Sequence, residues 1–211
     1  SSPKTIEAAR ARGAIDEAAS LQQAVPAADL VYLAQPIRRI LETIEEIDPL
    51  LREGALVTDA GSTKTEIVDR ASRSIRSAQF LGGHPMAGQE RSGIDAADAA
   101  LFRGTKYALI GKPAAAGGAA APPVARVEKF VALLESIGAR PLWMDAATHD
   151  RAAAAVSHLP QLLAVALAGV VHQQADETGL PLTLAGRGLR DALRLAGSPY
   201  AVWRDIVLTN S

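Results

Sequence analysis

The chain of 211 residues has no cysteine. That excludes disulfides, thiolate metal centres, iron–sulfur clusters and a cysteine nucleophile. It also fits a reducing compartment, so a cytoplasmic location is expected. No metal-ligand set is assigned. Charge of one sign is missing too: 22 Lys and Arg face 23 Asp and Glu, for a net charge of -1. No uniform field is present to hold nucleic acid or an anionic membrane. No uninterrupted apolar run reaches the ~18 residues of a membrane span, and no signal peptide opens the chain. The expected partners are small molecules, not nucleic acid or a membrane. Aromatic residues make up only 4%. A Gly-x-Gly-x-x-Gly turn, the usual phosphate grip of a doubly wound nucleotide-binding sheet, occurs nowhere.

What is present is globular, with 48% apolar and 21% charged residues. Strand-like and helix-like stretches alternate first. Pro3 to Arg12 reads as a helix closed by Gly13. Leu30–Leu33 has the size of a buried strand. Ile37, Ile40, Leu41, Ile44 and Ile47 lie on one face of a helix. Ala55–Thr58 is a strand, 59–62 a loop and Thr63–Ser74 a helix. Gln79–Gly82 and Tyr107–Ile110 are further strands. Pro113 to Pro123 is an Ala, Gly and Pro loop. Val127, Phe130, Val131, Leu134 and Ile137 form the stripe of the next helix, and Pro141–Met144 is the last strand. The alternation predicts an α/β, doubly wound sheet of parallel strands. After Asp145 no strand signal follows. Residues 147–175 read as one long helix kinked at Pro160, and Leu189 to Leu208 is helical around Gly197-Ser-Pro199. The boundary is expected near Asp145, giving an α/β part (1–145) and an all-α part (146–211). About 65 residues bury too little surface to be comfortable alone, so the helical part is expected to pack on a second copy of itself. The chain is expected to be the middle of a longer protein or a shortened homologue, because it opens in what reads as the turn after a second strand.

Four motifs bear on chemistry. Residues 82–93, Gly-Gly-His-Pro-Met-Ala-Gly-Gln-Glu-Arg-Ser-Gly, follow a strand. His84 then sits where open α/β sheets bind ligands, either as an acid/base or as an exposed histidine in a Gly-rich turn. Residues 59–64, Asp-Ala-Gly-Ser-Thr-Lys, open a helix. They suit an anion or a hydroxyl, or a plain cap by Ser62 or Thr63. His158 and Gln161, three apart, put polar groups into an apolar helix; a buried network and a substrate pocket explain them equally well. Arg187, Arg190 and Arg194 lie near Asp191. A guanidinium there either clamps a carboxylate or belongs to a solvated face.

Together with His149-Asp150 and Trp203-Arg-Asp-Ile206, these motifs resemble the prephenate/arogenate dehydrogenase family of tyrosine biosynthesis, nearly end to end. The resemblance implies a partial Rossmann-like sheet followed by a helical dimerisation domain. It implies a homodimer with NAD or NADP as cofactor, and oxidative decarboxylation of prephenate to 4-hydroxyphenylpyruvate or of arogenate to tyrosine. By family position His84 accepts the ring hydroxyl's proton and Ser62 orients it. Arg194 binds a substrate carboxylate. Glu90 and Asp191 flank the pocket, Trp203 walls it, and His158 and Gln161 line it. Cofactor contacts fall to Leu33, Ala34, Pro36, Asp59 and Gly61.

Two positions depart from the family pattern. Gln161 stands where many members have histidine, and Leu193 precedes Arg194 where threonine is common. Without the glycine turn, a chain of only these residues is expected to be inactive. Two competing expectations are a non-catalytic dimeric ligand-binding remnant and a different NAD(P)-dependent hydroxyacid dehydrogenase.

Overall fold

The computed structural model describes residues 2–88, 93–111, 122–174 and 179–210. Glu90 and most of the expected Pro113 to Pro123 loop lie outside the described residues. Helix α1 (Pro3–Ala11) is capped by Ser2, whose hydroxyl accepts from the Thr5 N–H at 3.2 Å. It ends at Gly13, which takes the left-handed φ of +63°. A single turn, α2 (Leu21–Ala24), follows a Ser20/Gln23 capping box.

The first βαβαβ stretch follows the sequence pattern closely. It runs β1 (Leu30–Leu33), α3 (Ile37–Ile47), β2 (Leu56–Asp59), α4 (Thr65–Ser74) and β3 (Gln79–Pro85). The three strands pair in parallel. Ile40, Ile44 and Ile47 of α3 are fully excluded from water and pack with Val57 and Ile67. Each such side chain contributes roughly 1.5–3 kcal/mol by burial.

The expectation of an all-parallel sheet needs correction at its second half. The strand order is β1-β2-β3-β4-β5, but β4 (Lys106–Ile110) runs antiparallel to β3. No α-helix is described between them, only a 3-10 turn at Ile94–Ala96. A parallel return needs a crossover, usually a helix, so here the chain turns back directly. Helix α5 (Pro122–Ser136) then carries it to β5 (Arg140–Met144), parallel to β4. With strand direction reversed, a right-handed crossover places its helix on the opposite face. Accordingly Val127, Phe130 and Leu134 pack on Leu56, Leu81, Tyr107 and Leu109, away from α3 and α4. The result is a parallel-dominated α/β sheet with both faces covered.

The helical part begins with α6 (Ala146–Ala153), capped by Asp145. The expected kink at Pro160 takes the form of a π turn at Ala154–His158, before α7 (Leu159–Gln174). Pro160 has no N–H for the carbonyl four residues back. The Leu159 N–H instead reaches back five residues to the Ala154 carbonyl. After α8 (Leu180–Thr183) and α9 (Arg187–Leu193) comes α10 (Tyr200–Thr209). It returns to the sheet: Ile206 is buried in the α3/α4 core, and Asp205 accepts from the Arg38 N–H of α3 at 3.3 Å.

From Ala146 to Gln174 the helical run is long and apolar enough to cross a membrane. Counting uninterrupted apolar residues missed this, because Ser157, His158 and Gln161 break the run. Its polar residues His149, Asp150, His158 and Gln161 are buried within the protein. Its apolar residues Val156, Leu159, Leu163 and Val170 are more than half exposed.

Candidate active site

The carboxyl ends of β2 and β3 are tied together by one buried ion pair. Asp59 and Lys64 are both completely buried, and the Lys64 ammonium meets the Asp59 carboxylate. The ammonium also donates to the Gly83 carbonyl at 2.7 Å. Asp59 accepts from the N–H groups of Gly61 at 2.8 Å and Gly83 at 3.1 Å. Burial pulls the Lys64 pKa down, with Asp59 and Asp150 resisting. Glycine at 83 is required by contact, since a Cβ would lie 2.6 Å from the Asp59 carbonyl oxygen.

This frame holds His84 at the end of β3. Its Nδ1 lies 2.9 Å from His149 Nε2 on α6. His149 Nδ1 lies 2.8 Å from Asp150 Oδ1. The Asp150 carboxylate also accepts the N–H groups of Lys64 at 2.7 Å and Thr65 at 2.8 Å. The start of α4 is therefore capped by Asp150 from across the molecule, not by Ser62 or Thr63; Thr63 instead bonds Thr209 at 2.7 Å. Burial alone would raise the Asp150 carboxyl, but hydrogen bonds from His149, Thr65 and Lys64 outweigh it and bring it to about 2. Burial pushes His84 down from the ordinary 6.5 to about 3, with the charges of His149, Lys64 and His158 adding to it. His84 is thus an uncharged base near neutral pH.

A cleft of about 540 Å³ opens beside it, between the strand ends and the helical part. Ser62, His84, Gln161, Arg194 and Trp203 line it, with Met86, Val156 and Val202 among its apolar walls. The Gln161 side chain is buried, and its Oε1 has no hydrogen-bond partner among the described residues. Such an acceptor costs about 1–3 kcal/mol until a donor reaches it, so the cleft suits a ligand with an N–H or O–H there. Arg194 is exposed on the cleft wall. A second groove, about 440 Å³ beside α5, offers no comparable base.

Not every residue singled out in the sequence meets the cleft. His158 is buried behind it, edge-on to Trp203 at 6.0 Å, with Nδ1 3.1 Å from Asn210 Nδ2. Asp191 is exposed on α9 and is not among the lining residues. Leu33 and Asp59 face inward, and Asp59 is saturated by Lys64, Gly61 and Gly83, so it organises the site without presenting itself to a ligand. Ala34 and Pro36 are exposed just beyond β1. Sequence reasoning gave no role to Lys64, His149, Asp150 or Asn210. The adjacent His149-Asp150 pair at a helix start was the one available signal.

The fold and the site define a class: an α/β sheet with a ligand cleft at its strand ends, closed by an all-helical segment. Within that class, the chain belongs to the prephenate dehydrogenase family, matching its nucleotide-binding domain over residues 1–143 and its dimerization domain over residues 145–211. The prephenate dehydrogenase of Lactococcus lactis is 36% identical over 205 residues, covering 96% of this chain and 54% of that protein. The Aquifex aeolicus prephenate dehydrogenase, solved with hydroxyphenyl propionate and NAD+, superposes with a TM-score of 0.86 at 30% identity, over 99% of this chain and 71% of that one. Synechocystis arogenate dehydrogenase gives 0.75 at 32% identity, over 99% and 73%. The chain spans about half the length of the curated relatives it matches.

Proposed function

We propose that the chain serves the oxidative decarboxylation of prephenate, or of arogenate, with NAD(P)+ as the oxidant. The observation that carries this reading is an uncharged His84 in the same cleft as Ser62, Gln161 and Arg194. The family relatives named above, with their substrates and NAD+ complex, support it.

NAD(P)+, when bound, would supply the acceptor for the hydride that leaves the ring carbon bearing the hydroxyl. Exposed Ala34 and Pro36, at the carboxyl end of β1, lie where a dinucleotide crosses an open sheet. His84 accepts the hydroxyl proton as that carbon becomes a carbonyl. The ring carboxylate leaves as carbon dioxide, and its electron pair aromatises the ring. The phenolate oxygen then takes the proton back from His84, so the histidine ends as it began. Ser62 is placed to hold the hydroxyl, and Arg194 to pair with a carboxylate as a bidentate fork. The unpartnered Gln161 oxygen favours a ligand donor, such as the side-chain ammonium of arogenate. A dimer formed through the helical part and a cytoplasmic site of action belong to the same reading.

Calorimetric titration of prephenate and of arogenate into the purified chain is the test. Arg194→Gln should weaken binding roughly 30- to 150-fold, a loss of about 2–3 kcal/mol. Arg194→Lys should fall between, since it keeps charge but loses the fork. If neither compound binds the unaltered chain, or if Arg194→Gln binds unchanged, the reading fails.

A further inference from the structure

The geometry points to His149 and Asp150 as positioning residues that hold His84 in its Nδ1–H form, leaving its Nε2 bare toward the cleft. The inference rests on the reading of His84 as proton acceptor and adds what makes that possible. His84 is half of a contact between two imidazoles, and two imidazoles share a single proton. Which ring carries it decides whether His84 offers the cleft a lone pair or a hydrogen.

The carboxylate settles the question. Asp150 lies 2.8 Å from His149 Nδ1 and, ionised, can only accept, so the His149 proton sits on Nδ1. With both rings uncharged, His149 Nε2 is then a bare lone pair. The 2.9 Å contact to His84 Nδ1 forms only if His84 donates. His84 Nε2 is left without a proton, as an acceptor must be. The groups around His84 agree: Lys64 before α4, His149 and Asp150 on α6, and His158 in the π turn. Positive charge on Lys64, His149 or His158 would oppose a second proton on its ring, and Asp150 alone favours one.

Asp150 is itself fixed. The N–H groups of Lys64 and Thr65 hold its two oxygens at 2.7 and 2.8 Å, and its backbone carbonyl accepts from Asn210 Nδ2 at 2.9 Å. A side chain at 150 with no acceptor removes the message, because the Asp150 oxygen that meets His149 Nδ1 is also the one that takes the Lys64 N–H. In Asp150→Ala nothing holds the His149 proton on Nδ1, so His149 Nε2 can carry it and His84 then gains an Nε2–H form.

The chain has four histidines, so nitrogen-15 NMR of the imidazole rings can assign each form directly. In the unaltered chain near neutral pH, His84 and His149 are expected as Nδ1–H. In Asp150→Ala an Nε2–H population of His84 is expected, with turnover in the active protein lowered roughly 10- to 10³-fold and KM nearly unchanged. If Asp150→Ala does not fold, His149→Phe replaces it, and His84, having lost its acceptor, should move to Nε2–H. An Nε2–H form of His84 in the unaltered chain overturns the inference, as does a His84 that stays wholly Nδ1–H in either substitution. Such a failure leaves the dehydrogenase reading standing, because substrate binding through Arg194 decides that independently.

Discussion

His84 and Asp150 are the two site residues whose depressed pKa values sensitise this protein to acid. Burial lowers His158 in the same direction as His84, and hydrogen bonds and nearby arginines lower the surface carboxylates Asp29, Asp48 and Asp145. His84 is held near 3 in the folded state against 6.5 in an open chain. Between those values the unfolded chain takes up a proton that the folded one refuses, so stability is full above about pH 6.5 and falls as pH drops toward 3. Asp150, held near 2 against an ordinary 3.8, adds a second loss in the window below about pH 4. Each pKa unit corresponds to about 1.4 kcal/mol, so the combined loss is on the order of a few kcal/mol. Thermal melts from pH 7 to 3 should show both. His84→Gln is expected to reduce the slope of the upper window, to which His158 also contributes, and Asp150→Asn that of the lower. A full slope between pH 6.5 and 4 in His84→Gln would contradict a buried, uncharged His84. At this scale the sequence was informative about residues and silent about partners. The Gly-rich turn marked His84 and the helix interruption marked Gln161, because unusual residues stand out in a local pattern. That His84 leans on His149, and that Asp150 caps α4, are contacts between distant segments that no local pattern carries.

Helices and strands were largely legible in the sequence. The isoleucine stripe of α3 gave its limits, because a helix whose core face is this apolar has only one way to lie. Strand β1 was legible as a short apolar run after Asp29. Strand direction was not, since a hydrophobic run reads the same in a parallel or antiparallel neighbour, and β4 was misjudged for that reason. The return of α10 to the sheet was also hidden. Asp205 is buried there and accepts from the Arg38 N–H and from Arg204 at 2.8 Å. Asp205→Ala leaves a first-turn N–H of α3 without its partner and should cost about 1–3 kcal/mol. For a chain of this size that is roughly 2–4 °C of melting temperature per kcal/mol. Arg204→Ala, removing a side chain that is 40% exposed, should cost under about 1 kcal/mol. Equal melts for the two variants would show that the carboxylate caps nothing.

For the whole molecule, the exposed stripe of α7 and the turn before it is the feature that a single copy leaves unsatisfied. Val156 is 69% exposed, Leu159 53%, Leu163 60% and Val170 56%, all on one side at helical spacing. Residues 145–211 match the family's dimerization domain, and in the proposed dimer this side meets a second copy of the chain. Leu163→Lys should shift sedimentation from dimer toward monomer while leaving the melting profile of the sheet largely intact. A dimer unchanged by this substitution would place the contact elsewhere. The sequence anticipated this face because its Ala, Leu and Val content exceeds what one small helical segment can bury.

The π turn between α6 and α7 works as a phase setter. Upstream, the helix presents His149 and Asp150 to the sheet; downstream, it presents Gln161 to the cleft and Leu163 and Val170 outward. Each residue of an α-helix turns the face by about 100°. Winding Ala154–His158 as ordinary α-helix with no residue removed would rotate everything after it by about that angle against everything before it. The half that reaches His84 and the half that carries Gln161 and the exposed apolar stripe would then point in incompatible directions. Under the proposed function, chemistry and assembly are geared to one another through five residues, whose spacing matters more than their side chains.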